Sequence, residues 1–301
     1  MFPPMRPRAN AVTLERTRPR SNAVTRVVVP GDLKAGDILF KHASTSFVSK
    51  RIKAGQGTHY QDTKEQLIDG AKKNDQKARE AGSASNDEEM ARANLPTEAE
   101  AKDITHVALA GGCDDVLEFD EGGAGLTNIL RSRGYGFVRG PMSTPGRLGK
   151  TYEVYRCTHE GLWQKAVDKA DLVWDITHAD PTKKATEQPR TGSYGVKSVW
   201  ATARHKDKGP AVNLNFFEST LNKWLVGDKN KNVDDTNIQF FCSHFVLFCY
   251  LWAAAEVQQG GTVRGLDYVL GDKAKVSPAE LYTRIKTSGW AFFTYIGTLK
   301  N

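Results

Sequence analysis

One run limits this chain more than any other: Phe240-Phe241-Cys242-Ser243-His244-Phe245-Val246-Leu247-Phe248-Cys249-Tyr250-Leu251-Trp252, its most apolar stretch. Ahead of it, Asp234-Asp235-Thr236-Asn237 are residue types that cap a helix. Behind it, Ala253-Ala254-Ala255 prolong one and Gly260-Gly261 end it. A helix that is apolar on every face has to be packed on every side, which predicts a domain assembled around a buried helix. Cys242 falls in its first turn, where unpaired N–H groups and the positive end of the helix dipole favour a thiolate. Against this stands the ordinary role of a cysteine among Phe, Leu and Val, that of a small inert core residue. Cys249, seven residues on and on the same face, is read that way. The helix alone leaves Cys242 open between the two roles.

At 301 residues the chain has room for one large domain or two small ones, and its 39% hydrophobic content suffices for a real core. The net charge of +7 suggests nucleic acid until it is located. Residues 1–30 hold six Arg against one Glu, or +5, so the other 271 residues carry only +2 of that +7. The basic charge belongs mainly to a tail, and a nucleic-acid-binding body is not expected. Cys113, Cys157, Cys242 and Cys249 form no CxxC and no disulfide framework, which points to synthesis in a reducing compartment. No segment has the character of a transmembrane helix, and the N-terminus lacks the apolar core of a signal peptide. The expectation is a chain made as a soluble cytoplasmic protein, with later export left open.

The tail, residues 1–30, is Pro- and Arg-rich without hydrophobic period and is expected to be disordered. Arg6-Pro7-Arg8-Ala9-Asn10-Ala11-Val12-Thr13 returns as Arg18-Pro19-Arg20-Ser21-Asn22-Ala23-Val24-Thr25, with seven of eight positions identical at a spacing of 12. This is either a duplicated linker or a tag for docking to a secretion partner. Order should begin near Val27-Val28-Val29, and Gly36-Asp37 opens a strand at Ile38-Leu39-Phe40. Residues 44–54 suit a short amphipathic helix. Residues 61–103 are rich in Lys, Glu, Asp, Gln and Ala and read as an insertion of two polar helices with a flexible joint at Gly82–Asn86, or as a lid.

Ile104-Thr105-His106-Val107-Ala108-Leu109-Ala110 and Asp115-Val116-Leu117-Glu118-Phe119 flank Gly111-Gly112-Cys113 as a hairpin. A three-residue loop at 111–113 would set His106 directly opposite Glu118, on one face and with Cβ atoms about 4.5–5.5 Å apart. A carboxylate there can fix the imidazole tautomer and stabilise its protonated form. A one-residue slip would separate the pair, and an ordinary surface pair remains the plain alternative. Further strands are expected at 151–156, at 197–200 and at 290–296, with helices at 160–174 and 219–226. Ser277-Pro278-Ala279-Glu280 is a capping box with Pro at the first helical position. Cys157-Thr158-His159 and Cys242-Ser243-His244 do not have zinc-ligand spacing, and Gly122-Gly123-Ala124-Gly125 lacks the lysine of a phosphate loop. No metal and no cofactor are expected.

Taken in order, Gly36-Asp37-Ile38-Leu39-Phe40, Thr105-His106-Val107-Ala108-Leu109, Val116-Leu117-Glu118 and Phe241-Cys242-Ser243-His244-Phe245-Val246 resemble the circularly permuted branch of the NlpC-type papain-like cysteine hydrolases. That branch includes the YiiX-like proteins, and lecithin:retinol acyltransferase is similar. Ser277-Pro278-Ala279-Glu280-Leu281 resembles a further feature of the family. The likeness covers roughly residues 33–120 and 236–297 at motif level. It implies an α+β, permuted papain-like fold over 31–301, with an antiparallel sheet packed on a buried nucleophile helix. It also implies Cys242 as nucleophile, His106 as general base and Glu118 as the residue orienting it, with the backbone N–H of Cys242 as an oxyanion donor. His244 lies about 200° round the helix from Cys242 and should point away. His59 lacks a following apolar strand. Two departures stand out: the long charged insertion, and residues 122–235, which match nothing in the family.

The expected activity is a cysteine hydrolase on amide bonds, a peptidase or amidase with peptidoglycan stem peptides as first target. An exported toxin, countered by an immunity protein, would give the tail a purpose. Lipid-directed acyl hydrolysis or acyl transfer is the alternative, as is proteolysis or deamidation of a host protein. A degenerate fold used only for binding would not need Cys, His and Glu together.

Overall fold

The computed structural model describes residues 26–44, 47–119, 137–177, 193–194, 215, 217–220, 239–259, 269–271, 276–288 and 292–301. In chain order its elements are β1 (Val27–Val28), β2 (Ile38–His42), α1 (Phe47–Gly55), α2 (Gly57–Glu80), α3 (Asp87–Asn94) and α4 (Glu98–Asp103). Then come β3 (Ile104–Gly112), β4 (Asp115–Phe119), β5 (Phe137–Gly140), β6 (Thr151–Cys157) and α5 (Glu160–Thr177). They are followed by β7 (Ser193–Tyr194), β8 (Gln239–Phe240), α6 (Cys242–Gln259), α7 (Pro278–Ser288) and β9 (Phe293–Lys300).

The chain is mixed α+β, with a seven-stranded sheet ordered β1-β9-β6-β2-β3-β4-β5. Period-two alternation sorts its side chains into two layers. Ile38, Phe40, Val107, Leu109, Leu117 and Tyr155 join the large core made with α5, α6 and α7. Leu39, Ala108, Ala110, Val116, Val154 and Leu299 join a smaller cluster that includes Leu33 and Met142. The sheet is therefore covered on both faces, which is why β3 is buried from Ile104 through Ala110. Helix α6 is buried all round, as its composition demands, from Phe245 through Ala254. Each fully buried Leu or Phe there contributes roughly 1.5–3 kcal/mol relative to exposure.

Gly36 and Asp37 have separate structural tasks. Gly36 has φ +83°, and a Cβ there would stand 2.6 Å from the Cβ of Trp163 on α5. Asp37 is fully buried and accepts from Arg156 Nε (2.9 Å) and Nη2 (2.8 Å), tying β2 to β6. At α7, Ser277 Oγ accepts from the Glu280 N–H (3.1 Å), half of the capping box expected there.

Three expectations are corrected. The sheet is mixed, not purely antiparallel, because β1 lies parallel to β9 at the edge. That strand, at Val27–Val28, lies where order was expected to begin, inside the last residues of the stretch 1–30. The insertion forms three helices rather than two, and they are not merely polar: Leu67, Ile68, Ala71, Ala91 and Ala101 are buried, and α2 and α3 pack on α7. Its joint at Gly82–Asn86 is pinned, since Asp75 accepts from the N–H groups of Asp87 (2.8 Å) and Glu88 (3.1 Å) at the start of α3. The tail repeat, the capping residues 234–237, the strand expected at 197–200 and most of the helix expected at 219–226 lie outside the described residues. Among the described residues no helix is long and apolar enough to cross a membrane.

Candidate functional site

Helix α6 starts at Cys242, with the Phe245 N–H donating to the Phe241 carbonyl (2.9 Å) as its first turn closes. Ser243 Oγ anchors that turn by donating to the Val276 carbonyl (2.7 Å). What meets Cys242 is set by β3. Ala110 turns both backbone groups toward β2, donating to the Asp37 carbonyl (2.8 Å) and accepting from the Gly36 N–H (2.8 Å). By alternation the Val107 N–H points the other way, toward β4. Pairing between β3 and β4 does not extend past Leu109↔Leu117, so that N–H is not taken by the sheet. It acts instead, with the N–H of Ser243, to favour a thiolate at Cys242.

His106, the residue before Val107, completes the contact with Cys242. Its Nε2 lies 2.7 Å from Glu118 Oε2 and donates to it, which leaves Nδ1 for the sulfur. The other carboxylate oxygen, Oε1, accepts from Arg147 Nε (2.7 Å). The remaining nitrogens of Arg147 donate to the carbonyls of Gly140 (2.5 Å), Pro141 (2.8 Å) and Val116 (3.0 Å). Every member is withdrawn from water: Cys242 is 0%, Arg147 2%, Glu118 3% and His106 4% exposed. The three residues singled out from the sequence are thus brought together, and a fourth joins them.

Their charge states follow from the contacts. Burial opposes a thiolate at Cys242, but the adjacent charge of His106, its hydrogen bond and the two backbone donors outweigh it, and the thiol pKa falls. Burial and the charge of Lys41 both oppose an imidazolium at His106. The partnership with Cys242 and the bond to Glu118 prevail and raise it to about 10. Burial also opposes ionisation of Glu118, yet the His106 and Arg147 cations hold it down at about 2. The contacts thus favour a thiolate, an imidazolium and a carboxylate in a row. It has the parts for nucleophilic attack on an acyl carbon followed by proton delivery.

The route to the His106–Glu118 bond differs from the one expected. The turn is Cys113-Asp114, with Asp114 at φ +54° and Gly112 paired to Asp115. An irregularity at Gly111 shifts the register to Leu109↔Leu117 and Ala110↔Val116. A Cβ on Gly111 would lie 2.6 Å from Asp115 Oδ2 and 2.7 Å from Leu117 Cδ1, so a side chain there would have to push both aside. The register therefore runs two residues away from the one that would set His106 and Glu118 directly opposite. A shift of two preserves the face of every side chain, and the pair meets on the diagonal.

Of the other candidates, His244 packs against the rings of Phe240, Phe241 and Phe248, and His59 falls in helix α2. Burial pushes the thiols of Cys157, to about 11, and of Cys249 upward. Sequence reasoning missed Arg147, whose only signal is a basic residue in the Gly- and Pro-rich stretch 140–149. It also missed Lys41, the direct cross-strand neighbour of His106. No known protein family, curated protein or solved structure matches this chain.

Proposed function

We propose that this chain is a cysteine hydrolase of amide bonds with the permuted papain-like arrangement, and that peptidoglycan stem peptides are its target. The observation that carries the reading is the joining of Cys242, His106 and Glu118 in one buried network whose sulfur and imidazole are poised as an ion pair. The histidine strand precedes the nucleophile helix in the chain, the order of the permuted branch that the sequence resembles. The substrate class, and export as a toxin, rest on that resemblance.

In this mechanism the Cys242 thiolate adds to the acyl carbon and the carbonyl oxygen becomes an oxyanion, met by the Cys242 N–H at the start of α6. The tetrahedral adduct collapses as His106 gives its proton to the leaving amine, producing a thioester and a neutral imidazole. That imidazole then takes a proton from water as the oxygen adds to the thioester. Collapse expels the thiolate, releases the acid and restores the ion pair. Glu118, braced by Arg147, holds the imidazole orientation throughout.

The test is release of soluble muropeptides from purified peptidoglycan by the wild type and by Cys242→Ala. Release by the wild type alone is expected, and the product masses name the bond. Equal release by both would remove Cys242 as nucleophile. Release by neither would remove peptidoglycan as the target and move the assay to lipid and ester substrates.

A further inference from the structure

The register that fixes His106 also places Lys41. On β2 it stands directly across from His106 on β3 and from Tyr152 on β6, so all three side chains leave the same face of the sheet. Direct cross-strand partners have Cβ atoms about 4.5–5.5 Å apart, well within reach of a lysine side chain. Lys41 is half-buried, beside the fully enclosed Tyr152. The one carboxylate of the neighbouring network is already committed, with one oxygen of Glu118 held by His106 and the other by Arg147. Among the described residues the Lys41 side chain, unlike its backbone in the sheet, forms no hydrogen bond and no ion pair. Its field nevertheless reaches the site, working against a proton on His106 and in favour of ionised Glu118.

For stability alone this is a poor residue. A half-buried ammonium loses hydration and repels the imidazolium beside it, while a neutral side chain of the same length would do neither. An incoming anion would reverse both costs. We propose that Lys41 is the anion-recognition residue of the site, receiving a carboxylate on the acyl substrate next to the bond that Cys242 attacks. This rests on the cysteine-hydrolase reading and narrows it to acyl compounds with a negative charge adjacent to the scissile carbonyl. Lysine rather than arginine suits a single oxygen approached as a point charge, without the forked geometry a guanidinium imposes.

Iodoacetate and iodoacetamide test this without a known substrate. They are close in size, alkylate the same thiolate and differ by one negative charge. Whatever opening admits them to the buried sulfur is common to both, so the ratio of their rates at Cys242 reads the local field. Rates would be followed by mass spectrometry of the Cys242 peptide at neutral pH and low salt, in the full chain. The wild type should favour iodoacetate. Lys41→Met should reduce the ratio by roughly tenfold or more, and Lys41→Arg should retain it. High salt should narrow the difference, and Lys41→Gln serves as the neutral variant if Lys41→Met does not fold. A reactive Cys242 whose ratio is the same in wild type and neutral variant would overturn the role of Lys41 and leave the hydrolase reading standing. A Cys242 inert to both reagents would overturn both.

Discussion

Cys242 and Cys249 are one amino acid on one helix, seven residues apart, and both are fully buried. Their chemistry is opposite. Burial among apolar neighbours pushes the Cys249 thiol up, whereas at Cys242 the same burial is overridden by His106 and two backbone N–H groups. The consequence is a pH window. The imidazolium's contribution to stability is complete below the ordinary histidine value of 6.5 and is lost as pH rises through about 10. The thiolate's contribution is complete above the ordinary thiol value of 9.0 and is lost as pH falls through its lowered value. Each charge needs the other, so the pair stabilises the fold between the lowered thiol value and about 10. A thiolate absorbance that disappears in Cys242→Ser is therefore expected below the ordinary thiol range. In His106→Asn it should appear only at higher pH than in the wild type, since burial is then opposed by the two backbone N–H groups alone. An unchanged ultraviolet titration in His106→Asn would show that the helix terminus, not His106, ionises the sulfur.

At the scale of elements, the site is held by joints between pieces distant in sequence. Gln56, in the turn from α1 to α2, is fully buried. Its amide donates to the Ile104 carbonyl (3.0 Å) at the start of β3 and accepts from the Ala279 N–H (2.8 Å) in the first turn of α7. One side chain thus locks the beginning of the His106 strand to a helix that packs beside it. Gln56→Ala would leave both backbone groups buried without partners. At about 1–3 kcal/mol for each, a loss of about 2–6 kcal/mol is expected in urea unfolding. A loss below about 0.5 kcal/mol, the range of ordinary surface changes, would mean that water or a local shift satisfies them.

Across the whole molecule, the first strand closes the sheet beside the last. β1 and β9 are parallel neighbours, a pairing that requires a long crossover, here nearly the entire described chain. It depends on Gly297, which has φ +146° and where a Cβ would stand 2.2 Å from the Arg26 carbonyl oxygen. That carbonyl accepts from the Thr298 N–H (2.9 Å). Gly297→Val should expel β1 and leave β9 as an open edge. Amide exchange at Thr298 should then quicken by roughly tenfold or more, while Leu109 and Leu117 stay protected. Protection retained at Thr298 would show that β9 bends to keep its partner. The effect should stay local, because the buried layers around α6 lie farther into the sheet.

The residues at the centre of the site were legible because each depends on short-range pattern. An all-apolar helix can only be buried, its first turn is electropositive, and alternation along a hairpin puts His106 and Glu118 on one face whatever even register they adopt. The exact register was not legible, because the turn at Cys113-Asp114 and the irregular step at Gly111 shift the pairing. Arg147 could not be read either. It lies 29 residues from Glu118, in a stretch with no period, and only the folding of that stretch back over the sheet brings it there. So the sequence by itself determined which helix is the core, which cysteine stands at its start and which face carries the histidine. The tertiary structure alone decided where β3 parts from β4 to free the Val107 N–H, which cation braces Glu118, and that Lys41 faces the pair unmatched. Those choices depend on strand neighbours and long-range packing, and local propensity carries no information about either.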